Sequence, residues 1–133
     1  MRKSLFLVSA LLLLVAAVLV AGCKDETLAP FEPEIGNQTG TFQFQITEAK
    51  DVTTVLNYSW QNDAEVANVN QACAMTSGEG TLTILDANQQ VMYSRNLMDN
   101  GTYASSTGAS GLWTIRVTLK KTYGAINFRV ESP

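Results

Sequence analysis

Gly111-Leu112-Trp113-Thr114-Ile115-Arg116-Val117-Thr118-Leu119-Lys120 decides the fold. Trp113, Ile115, Val117 and Leu119 are apolar, and Thr114, Arg116, Thr118 and Lys120 between them are polar. A strict period of two is what a strand shows when one face meets a core and the other meets water. Trp113 belongs to the apolar set and is therefore expected inside. Downstream, Tyr123-Gly124 predicts a turn into a second strand, where Ile126, Phe128 and Val130 alternate with Asn127, Arg129 and Glu131. These last two strands are expected to pair with each other and to form the best-defined part of the core.

The same pattern recurs upstream in weaker form. Thr102 to Ser106 predicts a short strand before the small-residue loop Thr107 to Gly111, and Asp99-Asn100-Gly101 a turn, since Asn and Gly tolerate positive φ. Leu82 and Ile84 alternate with Thr81, Thr83 and Leu85; after a turn at Asp86-Ala87-Asn88, Gln90 to Leu97 completes a hairpin. Ala72 to Met75 permits a strand stopped by Ser77-Gly78-Glu79-Gly80, and the Asn-rich stretch Gln61 to Gln71 favours irregular strand and loop. Val52 to about Trp60 predicts a strand with Leu56, Tyr58 and Trp60 on one face. Before it, Phe42, Phe44 and Ile46 alternate with Gln43, Gln45 and Thr47.

Seven or eight short strands separated by turn signals predict an all-β protein: a single antiparallel β-sandwich with Greek-key or jelly-roll-like connections. The final third, G-L-W-T-I-R-V-T-L followed by G-A-I-N-F-R-V-E, resembles the closing hairpin of small exported sandwiches such as the pre-peptidase C-terminal and CUB-like domains. The paired cysteines of CUB domains and the calcium-binding acidic pattern of some relatives are absent, so the resemblance transfers no site.

The chain before the strands is of another kind. Met1-Arg2-Lys3 is a positive n-region, Leu5 to Val20 an uninterrupted apolar run, and Ala21-Gly22 the small residues a signal peptidase accepts. Val20-Ala21-Gly22-Cys23 resembles the bacterial lipobox. That resemblance implies cleavage between Gly22 and Cys23, a diacylglycerol on the Cys23 sulfur through a thioether, and acylation of the new amine. Two or three acyl chains, at roughly 0.8 kcal/mol per buried methylene, hold a protein on a bilayer. An uncleaved membrane anchor or a cleaved secretory signal is the alternative, since Leu5 to Ala21, seventeen apolar or small residues, reaches the lower limit of about 17 for a span; the run lacks a positive flank on its far side.

Lys24-Asp25-Glu26 looks like the lysine-plus-two-acids signal that sends some Bacteroidetes-type lipoproteins to the outside of the outer membrane. Lys24 to Gly40 holds two prolines and four acidic residues without a hydrophobic period, and predicts a flexible tether. The expected organisation is a signal-peptide helix over 1–22, an acylated cysteine and acidic tether over 23–40, and the sandwich over 41–133. The expected location is the bacterial cell envelope, on the outer membrane, facing the surface or the periplasm.

Composition narrows the chemistry. Without Arg2 and Lys3, the mature chain carries 7 basic against 12 acidic side chains, a charge of about −5, which argues against nucleic acid. There is no histidine, the commonest general base and metal ligand, and no spacing that fits a metal site. No cofactor is expected. Lipid on Cys23 leaves Cys73 without a partner, so it is expected buried as a small hydrophobe and the domain to fold without disulfides.

Ser110, in G-A-S-G, falls short of a nucleophile elbow. Asp63, Glu65, Glu79, Asp86 and Asp99 fit solvated turns better than an acid pair. The chain therefore predicts a non-catalytic interaction or structural module whose partner is the membrane through Cys23 together with an envelope protein or a surface glycan. The alternative is a carbohydrate-binding module, for which Trp60 at a strand end and Tyr103 and Tyr123 near turns are the candidate platform.

Overall fold

The computed structural model describes residues 32–133. They form seven antiparallel strands: β1 (Glu34–Gln38), β2 (Thr41–Asn62), β3 (Asn68–Gln71), β4 (Ala74–Leu85), β5 (Val91–Asn96), β6 (Gly101–Ala104) and β7 (Gly111–Glu131). The hub is β7. Its second half lies between the first half of β2 and β3, and its first half between the second half of β2 and β4. β1 flanks the start of β2, β6 flanks β3, and β5 flanks β4. The sheet does not close into a barrel. It folds over on itself as a sandwich whose two layers share the long strands.

The fold-over is visible within β2. Residues sixteen apart in a straight strand would be separated by on the order of 50 Å. The rings of Phe42 and Tyr58 instead lie 5.4 Å apart between centroids. The Gly40 N–H, just before β2, donates to the Gln61 carbonyl near its end at 2.9 Å.

Bulges produce the bend. An extra residue on one strand exchanges its inward and outward faces and sharpens the local twist. In β7 the buried positions run Trp113, Ile115, Val117, Leu119, and then switch to Thr122, Ile126, Phe128, Val130, with Lys121 at φ 46° at the switch. In β2 the register shifts between Ile46 and Thr54, around Asp51 at φ 51°. In β4 it shifts between Met75 and Glu79, around Gly78 at φ 85°.

Two glycines make the corner passable. A Cβ on Gly78 would run into the Lys121 carbonyl, and one on Gly124, at φ 107°, into the Ala74 carbonyl. Only residues without a side chain allow backbones this close at these angles. The buried Thr122 hydroxyl closes the corner by donating to the Glu79 carbonyl at 2.7 Å.

Between the layers lies one core, led by Trp60, Trp113, Phe42, Phe44 and Phe128, all essentially inaccessible. Cross-strand register sets their contacts. Phe44 opposes Phe128, and their rings stack at 5.1 Å and 10°. Trp60 opposes Trp113, edge to face at 6.1 Å and 89°. Such pairs contribute about 0.5–1.5 kcal/mol beyond the area they bury.

Three sequence expectations change. Tyr123-Gly124 is no turn: the alternating runs on either side are one strand, β7, and they pair with β2, β3 and β4 rather than with each other. A glycine at positive φ serves a bulge as well as a turn, so the local signal is the same. For the same reason Ser77 to Gly80 does not stop β4, and the two alternating runs of β2 are one strand. Thirdly, Glu34–Gln38, placed in the tether, forms edge strand β1; all five residues are exposed, so no alternation marks it.

Candidate functional site

The outward faces of β1, the start of β2, the end of β7, β3 and β6 form a continuous surface. Directly opposed residues in antiparallel strands point to the same side of a sheet. Register therefore places Gly36 beside Gln43, Gln43 beside Arg129, Arg129 beside Asn70, and Asn70 beside Thr102. One row along, Glu34 lies beside Gln45, and Gln45 beside Asn127.

The surface is not flat. An open depression of about 500 Å³ is lined by Gln43, Asn70, Thr102, Asn127, Arg129 and Glu131. A second, of about 240 Å³, is lined by Glu34, Ile35, Gly36, Gln43 and Gln45. Gln43 borders both, and the two depressions side by side make up the trough.

Its lining is polar and mostly uncharged. Asn70 Nδ2 donates to Thr102 Oγ1 at 2.9 Å, and its Oδ1 accepts no hydrogen bond from another described residue. Arg129 Nη1 meets Glu131 Oε1 at 3.4 Å, so the two charges in the larger depression offset each other. The side-chain amides of Gln43, Gln45 and Asn127 hold no hydrogen bond to another described residue. Each offers two donors and an acceptor with two lone pairs.

The predicted aromatic platform does not assemble. Trp60 is wholly buried, and its Nε1–H donates to the Gln38 carbonyl at 3.1 Å, so it has no face to offer a sugar. It sits at a strand end, but the turn joining β1 to β2 folds over it. Tyr103 is half-buried against the core, with the Arg95 guanidinium 3.7 Å from its ring centroid. Tyr123 is exposed and lies at the bend of β7, opposite Ser77.

The carboxylates form no metal site: among the described residues no three His, Cys, Asp or Glu side chains come together as one would require. Asp86 is buried and accepts backbone N–H bonds from Asn88 at 3.0 Å, Gln90 at 2.9 Å and Ala109 at 2.9 Å. Led by the bond from Ala109, these hold its carboxyl below the usual range; Asp86 thereby ties the 105–110 loop to the β4–β5 hairpin. Asp63 accepts from Gln61 Nε2 at 2.7 Å, and Asp99 lies 3.8 Å from Arg95. Ser110 is exposed in the 105–110 loop.

Two buried groups are structural. Gln71 donates through Nε2 to the carbonyls of Asn96, Leu97 and Asp99 and accepts the Tyr93 hydroxyl at 2.5 Å, which holds the β5–β6 connection against β3. Burial pushes Tyr93 up to about 12. Cys73 is a free, buried cysteine, as expected, and burial raises its thiol.

Gly22, Cys23, Lys24, Asp25 and Glu26 lie outside the described residues. Sequence reasoning placed Gln43, Gln45, Asn127, Arg129 and Glu131 on the wet side of their strands, Asn70 in an irregular stretch, and Glu34 to Gly36 in the tether. Its available signals were the amides at outward positions and a glycine inside β1. No model of a known protein family matches the chain, and comparison with curated proteins finds no relative.

Proposed function

We propose that the protein is a lipoprotein of the bacterial cell envelope, anchored by acyl chains on Cys23, whose β-sandwich is a non-catalytic interaction module. The observation that carries this reading is Cys23 itself, placed directly after Val20-Ala21-Gly22 at the end of a sixteen-residue apolar run behind Arg2 and Lys3. The reading is further supported by Asp86, whose carboxylate is taken up by three backbone N–H groups. The lysine-plus-two-acids triplet favours outer-membrane display on the cell surface.

Fractionation and protease shaving test it together. The native chain is expected in the membrane fraction carrying label from a fatty-acid precursor, and Cys23→Ala without that label. Protease added to intact cells is expected to digest the native chain and to spare a variant with Lys24, Asp25 and Glu26 replaced by alanine. A Cys23→Ala chain that still carries the fatty-acid label overturns the anchor; protection of both other forms turns the module toward the periplasm.

A second reading, glycan binding, is favoured by one specific observation, the amide-lined trough in which the Arg129 charge is offset by Glu131. It places sugar recognition on hydrogen bonds rather than on Trp60, Tyr103 and Tyr123.

A further inference from the structure

We propose that the trough running from Gly36 across Gln43, Arg129 and Asn70 to Thr102 binds a neutral oligosaccharide of hexose units laid across the strands. This deepens the glycan-binding reading and rests on it, but is independent of lipid on Cys23.

The carrying observation is Gly36. Glycine inside a strand weakens it and is kept where a bulge, a corner or the close approach of another molecule requires it. Gly36 is at none of the chain's positive-φ positions, and β1 pairs with β2 without a register shift. A Cβ there would meet only the Gln43 Cβ, at 3.6 Å, an ordinary contact. Among the described residues nothing requires glycine at this position. What its missing side chain leaves open is one side of the smaller depression, which shares Gln43 with the larger one.

The lining chemistry selects the ligand class. A side-chain amide donates and accepts at once, which suits adjacent hydroxyls that must also do both. Gln43, Gln45, Asn127 and the free oxygen of Asn70 supply that capacity. A polyanion would need unpaired cations, whereas the one guanidinium in the trough already has Glu131 at 3.4 Å. Protein interfaces centre on buried aromatic and aliphatic anchors. Here the one exposed large hydrophobic of the trough is Ile35, at its edge, while Val55, Val91, Met98, Leu112 and Tyr123 lie elsewhere. Five strands spaced about 4.8 Å apart give a path of roughly 19 Å, the span of a short oligosaccharide. The larger depression falls within the roughly 300–1,000 Å³ common for ligand sites.

The test is a ¹⁵N–¹H titration of the full chain, in a detergent without a sugar headgroup, with maltohexaose, cellohexaose, mannohexaose and chitohexaose as probes. Saturable shifts at Gly36, Gln43, Asn70, Thr102 and Asn127 with at least one of them are expected. Gly36→Val fills the notch and is expected to weaken that binding by at least about tenfold, the scale of one or two lost hydrogen bonds. Its thermal midpoint is expected to stay within a few degrees of the native chain, because valine suits an extended strand. No saturable shift with any probe overturns the proposal, as do shifts centred on Tyr123 or Leu112. Native affinity in Gly36→Val overturns it too. Shifts of the trough residues with protein concentration alone would assign the face to a second copy of the chain instead.

Discussion

Trp60→Ala tests the account of the core. Trp60 is fully buried at a strand end, edge to face with Trp113 at 6.1 Å and hydrogen-bonded through Nε1 to the Gln38 carbonyl at 3.1 Å. Truncating such a residue removes its transfer free energy and leaves a cavity that the layers cannot fully close. The expected cost is about 3–5 kcal/mol. Against a typical stability of about 5–15 kcal/mol for a whole domain, this is a large fraction. For roughly a hundred ordered residues, each kcal/mol moves the midpoint by about 4–8 °C, so the variant is expected to melt on the order of 15–30 °C lower. Trp60→Phe keeps an aromatic ring but removes the N–H donor, and should lie between the two. Thermal and urea melts followed by circular dichroism measure this directly. A Trp60→Ala midpoint within about 3 °C of the native chain would refute the burial argument and return Trp60 to the surface.

Three further outcomes are expected. Gly78→Ala and Gly124→Ala should each lose more than about 2 kcal/mol, since a side chain there meets both a positive φ and a backbone carbonyl. Gly36→Ala should be neutral or slightly stabilising in the same urea melts, and equal effects at all three positions would contradict the corner. Asp86 has a folded pKa below its unfolded value of about 3.9, so its contribution is complete above that value and lost as pH falls through the folded one. The urea midpoint of Asp86→Asn is therefore expected to fall less steeply than that of the native chain between pH 5 and pH 2, and parallel profiles would count against the three N–H bonds. In a Cys23→Ala chain, Cys73 should be inert to Ellman's reagent at pH 8 until the protein is unfolded, because burial raises its thiol; stoichiometric reaction of the folded form would disprove that burial.

Much of the core was legible because it follows a period of two. Phe42, Phe44, Ile46, Trp113, Ile115, Val117, Leu119, Ile126, Phe128 and Val130 all point inward as their alternation requires. Continuity was not legible. At Gly124 and Gly78 a bulge and a turn demand the same residue type, and long-range register decides between them. β1 was hidden because an edge strand with every side chain in water has no pattern to show. Trp60 misled for a related reason, since its cover comes from Gln38 in a segment that gave no strand signal. The trough was partly written in the outward amides. Their gathering, however, depends on β7 lying between β2 and β3, an order that no local pattern encodes.

The central claim is that the mature protein begins at a lipid-bearing Cys23. Mass spectrometry of the N-terminal peptide released from membrane-extracted protein addresses it most directly. A peptide starting at Cys23, with a diacylglyceryl thioether on its sulfur and Lys24-Asp25-Glu26 following, is the predicted result. A chain that retains Met1 to Gly22, or one cut elsewhere with an unmodified Cys23 thiol, would contradict it.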